Sequence, residues 1–403
     1  MTVREEKLGN LCFQIRGIAY GKDEIHELPL VDTIPLLRAT NILESGEIDA
    51  TDVLHVNAGC VNPKQILQKG DVLISASTGS KSSIGKPARV RGDDGVTFGA
   101  FCKALRPNTK LIDPDYFWFV FCRPEYRSYI SNVVGGANIN NIRNEHIDEF
   151  VIPLPPLATQ KHIARVLEQA DQLRKQAQQM ESELNQLAQS LFLEMFGDPI
   201  ENPKGWKKEP LQNLMTIKRG GSPRPIEKFV GGTIPWIKIG DATSGDDIYI
   251  YETKEKIIEA GLKKTVFLEP GSVIFANCGV SLGFARILKI HGCIHDGWLS
   301  FSEIDENRIN KVFLLKAINS ITEHFRRMAP EGTQPNLNTG LMKSFEMTVP
   351  PIDLQNSFEK LIFEISERKQ EAKDKGEHFD LLFNSLMQRA FNGELTAPER
   401  KAA

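Results

Sequence analysis

The chain has 403 residues, of which 41% are hydrophobic and 25% charged, with a formal net charge of −3. This is the make-up of a globular protein of two or three domains, and it argues against one that coats nucleic acid through bulk positive charge. The six cysteines are scattered and never form Cys-x-x-Cys, which argues against a disulfide framework or a structural zinc site. No signal-like segment opens the chain and no apolar run nears the ~20 residues a bilayer requires, so the expected compartment is the cytoplasm.

In chain order, the predicted elements occur twice. LGNLCFQIRG (8–17) returns as LQNLMTIKRG (211–220) at an offset of 203. IPLLRATNI (34–42) returns as IPWIKIGDA (234–242), and KGDVLISASTGSKSSIG (69–85) as PGSVIFANCGVSLG (270–283). DVLISAS, SVIFAN and FARILKI are short β-branched runs bounded by turn residues, and are read as strands. PDYFWFVFCRPEYRSYISNV and INKVFLLKAINSITEHFRRM are read as short helices. GGANINNI (135–142) matches EGTQPNLN (331–338) at 196. At 195, a strand and two prolines open a long helix in both copies: FVIPLPPLATQ from Phe150 and FEMTVPPIDLQ from Phe345. SLFLEMF and SLMQRAF close the two units. Proline fixes φ and discourages helix before it; Thr159 and Asp353 are the expected N-caps.

In the first long helix, Ile163, Val166, Ala170, Leu173, Ala177, Met180, Leu184, Leu187 and Leu191 step by three and four, an a/d heptad pattern. About 37 helical residues would span roughly 55 Å. The second helix carries Phe358, Leu361, Ile365, Ala372, Phe379, Leu382 and Leu386 at matching places, with Gly376 weakening its middle. A narrow apolar stripe on each helix predicts that the two bury one another as an antiparallel coiled coil. The expected fold class is therefore α+β: two tandem pseudo-symmetric units, each a mixed α/β globular domain followed by a long helix. The expected boundaries are 1–156, 157–197 (first helix), 198–350 and 351–395 (second helix). Such a duplicated arrangement suits a two-fold reader of DNA half-sites set roughly 34–36 Å apart.

IPWIKIGDA, GSVIFANCG, GTQPNLN, the PP-x-x-x-Q helix entry and MFGDPIENPKGW, taken as an ordered set, resemble the specificity subunit of type I restriction–modification enzymes. The resemblance covers almost the whole chain and is closer in the second unit. It implies that each unit reads half of a split, asymmetric double-stranded DNA site and that the helices set the unread gap. It also implies that two modification (methyltransferase) subunits and the restriction (translocase and nuclease) subunits dock, and that the chain itself catalyses nothing and needs no cofactor.

The DNA-binding candidates are of two kinds. Lys81, Lys86, Arg89 and Arg91 follow a Gly/Ser-rich loop suited to close phosphate approach, and Lys218, Arg219, Arg224 and Lys238 belong to the basic second unit. Asn138, Asn140, Asn277, Gln334 and Asn336 carry amides, which pair with adenine N6/N7 or else satisfy turns. Rival readings are a stand-alone methyltransferase or nuclease and a coiled-coil scaffold that binds protein only. Asn62-Pro63-Lys64 and Asn202-Pro203-Lys204 lack the second proline and ring of an adenine methyltransferase motif. Glu252-Thr253-Lys254 lacks the Pro-Asp of a nuclease. His291, Cys293, His295 and Asp296 are read as a strand leading into a turn, with no metal.

Overall fold

The structure is a computed structural model and describes residues 4–80, 82–134, 140–243, 247–329 and 336–396, the side chain of Asn140 excepted. It divides into two compact units. The first comprises residues up to Ala177 together with those from Asp374 onward; the second runs from Gln178 to Lys373.

Each unit is built on two small sheets. In the first unit, Cys12–Arg16, Cys102–Pro107, Val72–Ser75 and Pro87–Arg89 lie side by side in that order, all antiparallel. The other sheet runs Ile25–His26, Leu54–Asn57, Thr33–Leu37, Thr97–Phe98, its last pair parallel. The second unit repeats the plan with Thr216–Arg219, Trp298–Ser302, Val273–Ala276 and Ala285–Leu288, extended by Tyr249–Ile250. Its other sheet runs Lys256–Ile257, Val230–Ile237, Gly292–Ile294, Val266–Leu268. The continuous apolar runs VLIS and VIFA are explained by burial on both faces. Val72 and Ile74 face the helices, whereas Leu73 packs with Leu37 and Phe98; Val273 and Phe275 repeat the first contact and Ile274 the second.

The helices of the first unit are α1 (Pro114–Phe121), α2 (Pro124–Val133), α3 (Asn144–Asp148) and the start of α4 (Leu157–Phe196). Those of the second are α5 (Lys311–Ser320), α6 (Thr322–Met328), α7 (Thr339–Ser344) and the start of α8 (Ile352–Phe391). Among the described residues no helix is long and apolar enough to cross a membrane.

The proline–proline–x–x–x–glutamine motif takes its meaning from the glutamine. Gln160 and Gln355 are buried, 1% and 0% exposed. Gln160 Oε1 accepts from the Asp113 N–H at 2.8 Å, and its Nε2 donates to the carbonyls of Pro155 at 2.8 Å and Leu111 at 3.3 Å. Gln355 does the same with Asn310 N–H at 2.8 Å, Pro350 at 2.7 Å and Arg308 at 3.0 Å. Asp113 and Asn310 are the N-caps of α1 and α5. One side chain thus bolts the entry of the long helix to the entry of the helix that backs the sheet. Thr159 and Asp353, expected as N-caps, instead lie inside the first turns of α4 and α8, because each helix begins directly after its second proline.

α4 and α8 run antiparallel, and each unit shows this on its own. In the first, Ile163, Ala164, Leu167 and Ala170 share a core with Phe383, Met387, Ala390 and Phe391. There the Arg174 guanidinium lies 4.4 Å over the Phe383 ring and 3.6 Å from Asp380. In the second, Phe358 meets Phe192 and Phe196 edge-on at 5.6 and 5.2 Å.

The seam differs from the expected one by the same step on both helices. Ile163, Ala170, Ala177, Phe358 and Ala372 are buried, and Leu184, Leu191, Ile365, Phe379 and Leu386 half-buried. Val166 is half-buried, but Leu173, Met180, Leu187, Leu361 and Leu382 are exposed; Leu167, Ile362 and Phe383 are buried next to three of those positions. One of the two heptad tracks is therefore displaced by a residue. Arg174 and Lys369 occupy half-buried positions on the true track, and their polarity hides it in the sequence.

Two predictions follow from these contacts. Gln355→Ala leaves one N–H and two carbonyls without their partner and should destabilise the second unit by about 3 kcal/mol, measured by urea unfolding. Helix α8 passes through Gly376 unbroken, and a Cβ there would meet Ala177 Cβ at an ordinary 3.7 Å. Gly376→Ala should therefore stabilise the chain by about 0.5–1 kcal/mol, visible as a raised melting temperature.

Candidate nucleic-acid interface

In the first unit the basic cluster is paired with carboxylates. Arg89, only 11% exposed, bonds Glu168 at 2.6 Å and Asp115 at 2.5 Å. Arg91 holds Glu47 at 3.0 Å and lies 3.6 Å from Glu168, and Lys86 lies 3.5 Å from Glu44. Lys175 of α4 reaches the same Glu47 at 2.5 Å. The hydrogen bond from Arg91, then that from Lys175, hold the Glu47 carboxyl down at about 2 against the opposing effect of burial. Arg89 and Arg91 thus clasp the fold to its own long helix through Glu168, while Lys86 meets Glu44 within the fold. The second unit has a counterpart: Asp247 bonds Lys316 of α5 at 2.7 Å and lies 3.7 Å from Lys369 of α8.

The basic residues of the second unit face outward. Gly220 and Gly221 place this edge, since a Cβ on Gly220 would lie 2.2 Å from the His295 carbonyl and one on Gly221 2.3 Å from that of Lys264. Gly17 makes the matching approach in the first unit, 2.1 Å from the Gly99 carbonyl. Around this crossing, the Ser222 hydroxyl donates to Asp296 Oδ1 at 2.6 Å, and Arg219 Nε donates to the Asp296 carbonyl at 3.1 Å. The Ser222 hydrogen bond holds the Asp296 carboxyl below its ordinary range. The Arg224 side chain is 80% exposed, 3.6 Å from Asp296 Oδ2, and Lys218 is exposed on the strand Thr216–Arg219. Ser222–Glu227 and Trp236 line a cleft of about 490 Å³. Lys238 caps the Trp236 ring at 4.7 Å and bonds Glu255 at 2.5 Å.

The amide candidates separate. Asn277 is fully buried and touches no surface, while Asn336 is half-buried and bridges Cys278. Asn140 lies in the strand Asn140–Asn141, paired with Ser77–Thr78. Lys81, Asn138 and Gln334 lie outside the described residues. The histidine-rich strand is engaged locally: the His291 ring stacks on Phe267, and His295 Nδ1 accepts from the Gly297 N–H at 2.7 Å. Glu252-Thr253-Lys254 is an irregular segment tied to Asp241 through the Thr253 hydroxyl and the Lys254 N–H.

Sequence reasoning overlooked Asp296 as the hub beneath Arg219, Ser222 and Arg224; the bonds from Arg219 and Ser222 span 77 and 74 residues of chain. It also overlooked Val280, 95% exposed on a turn whose carbonyls of Val280 and Leu282 are held by Arg326. No local pattern in the sequence signals either.

Residues 35–186 and 203–365 both match the type I restriction modification DNA specificity domain. The StySPI specificity subunit of Salmonella potsdam is 28% identical, the match covering 96% of this chain and 88% of that one. The EcoKI specificity subunit of Escherichia coli K12 is also 28% identical, with the same coverage of both. The fold is that of the S subunit crystal structure from M. genitalium, at a TM-score of 0.60 and 15% identity over 97% of this chain and 96% of that one. A chain from a study of type I R-M complex assembly has a TM-score of 0.59 at 17% identity, covering 98% of this chain and 100% of that one. A duplicated frame whose two halves each answer to the same family description leaves one assignment: the chain belongs to the type I restriction–modification DNA specificity family.

Proposed function

We propose that the chain selects the DNA sequence for a type I restriction–modification complex, and that it reads a split, asymmetric double-stranded site with two unlike recognition folds. Residues 1–156 and 198–350 would be those folds, and 157–197 and 351–395 the spacer helices between them. The chain docks two modification subunits and the restriction subunits, which carry the chemistry, and it works in the cytoplasm. The observation that carries this reading is the double match to a DNA specificity family on two units that share one frame and differ along their edges. Within the second unit, Lys218, Arg219 and Arg224 supply the phosphate-facing charge, set by the glycine crossing at Gly220.

Two outcomes test it. In complex with the modification subunits, Lys218→Ala and Arg224→Ala should each flatten the slope of log affinity against log salt by about 0.9. Arg89→Ala should leave that slope unchanged and lower the melting temperature, because its carboxylate partners lose their cation. For the spacer, inserting seven residues into α4 beside Ala177, and seven into α8 beside Gly376, keeps the heptad register. Seven residues add about 10 Å of helix, so methylome sequencing should show an unread gap longer by about three base pairs with both half-sites unchanged. Altered half-site bases with an unaltered gap would refute the spacer role.

A further inference from the structure

Asn277 is buried with one end of its amide unmatched. It follows the strand Val273–Ala276, is 0% exposed, and its Oδ1 has no hydrogen-bond partner among the described residues. Its Nδ2 donates to Asn336 Oδ1 at 3.0 Å and to the Leu337 carbonyl at 3.4 Å. The carbonyl fixes which end of the Asn277 amide points that way, because only an N–H can face it. By the same logic the facing end of the Asn336 amide is its oxygen. Asn336 Nδ2 is therefore turned away from Asn277, and among the described residues it has no partner.

The first unit supplies the comparison. There Ser77 pairs with Asn141, and the Ile142 N–H reaches the Ala76 carbonyl at 2.8 Å. In the second unit Cys278 pairs with Asn336, and the Leu337 N–H reaches the Asn277 carbonyl at 2.8 Å. Ala76 thus stands where Asn277 stands, and the same backbone forms without an amide. A buried oxygen left without a donor weakens the fold around it, so packing alone does not account for the side chain.

We propose that Asn277 is a positioning residue for base selection: it holds Asn336 with its NH2 outward, so that the second unit offers a hydrogen-bond donor to the DNA at that point. The proposal rests on the reading above, in which these loop edges face the duplex. An asparagine that presents both its oxygen and its NH2 matches adenine N6 and N7. With the oxygen turned inward, Asn336 is a donor only and favours the paired acceptors of guanine, N7 and O6, over adenine, whose N6 amine would face its NH2. Asn141, exposed and backed by Ala76, keeps both groups and reads adenine. Asn277 touches no base itself; it acts through Asn336.

Methylome sequencing of cells carrying the full chain with its modification subunits decides the matter. In the Asn277→Ala chain, one base pair of one half-site that excludes adenine in the wild type should come to accept it. Methylation of such sites should rise about tenfold, with the other half-site unchanged. Ala76→Asn should do the reverse in the opposite half-site, losing adenine at one position. Asn336→Ala should relax the same base pair as Asn277→Ala, and serves as the deciding variant if Asn277→Ala fails to fold. An unchanged motif, or methylation lowered at all sites alike, overturns the proposal, because a merely structural Asn277 would not move one base preference. A wild-type chain that directs no split methylated motif would instead overturn the reading of the chain as a specificity subunit.

Discussion

The structure depends on a single buried amide at the root of each long helix. Two prolines bring the chain in extended and start the helix, but they cannot orient it. The orientation comes from Gln160 and Gln355, each of which joins a backbone N–H and two carbonyls from separate segments. A buried glutamine is tolerable only when both ends of its amide are matched, so the site accepts one geometry. The long helix therefore leaves its recognition fold in one direction, set where α1 or α5 begins. Everything carried by α4 and α8 inherits that direction.

A second set of interactions keeps each recognition fold on its helix. In the first unit Glu47 and Glu168 are gripped by Arg89, Arg91 and Lys175; in the second, Asp247 is gripped by Lys316 and Lys369. Half-buried charge networks of this kind add definition more than net stability, since pairing repays a desolvation already incurred. Aromatic packing supplies the burial: Phe383 and Phe391 in one unit, Phe192, Phe196 and Phe358 in the other. Each such side chain contributes about 1.5–3 kcal/mol when fully buried.

The frame was legible in the sequence because duplication wrote it twice. Strand, proline pair and long helix could be read from spacing alone, and the apolar runs marked the twice-buried strands. What could not be read shares one physical cause: polar side chains that are interior. Gln160 and Gln355 stand at the helix entries with no pattern around them that marks them as interior. Arg174 lies on the seam with its guanidinium over Phe383, so the hydrophobic pattern pointed to Leu173 next to it. Lys86, Arg89 and Arg91 look like a phosphate loop until their carboxylates are seen, and the partners of Arg89 lie 79 and 26 residues away. Charge along a sequence tells nothing of which charges will meet.

The two copies also separate what a recognition fold must keep from what it can change. Gly17 and Gly220 stay because a side chain would strike a carbonyl, and the two glutamines stay because their clamp orients the helix. At the edges the copies part. Register places Lys103 opposite Arg16 and Leu299 opposite Arg219, so a buried lysine in one unit is a leucine in the other. The Lys103 ammonium donates to Gln14, Asn144 and the Ile142 carbonyl, and so steadies the segment after Asn141. In the second unit the same segment meets Asn277 instead, through Asn336 and Leu337. The backbone course is shared while the side chains that meet it differ. The frame can therefore stay fixed while each edge changes independently, which is the physical condition for two halves of one chain to recognise two different sequences.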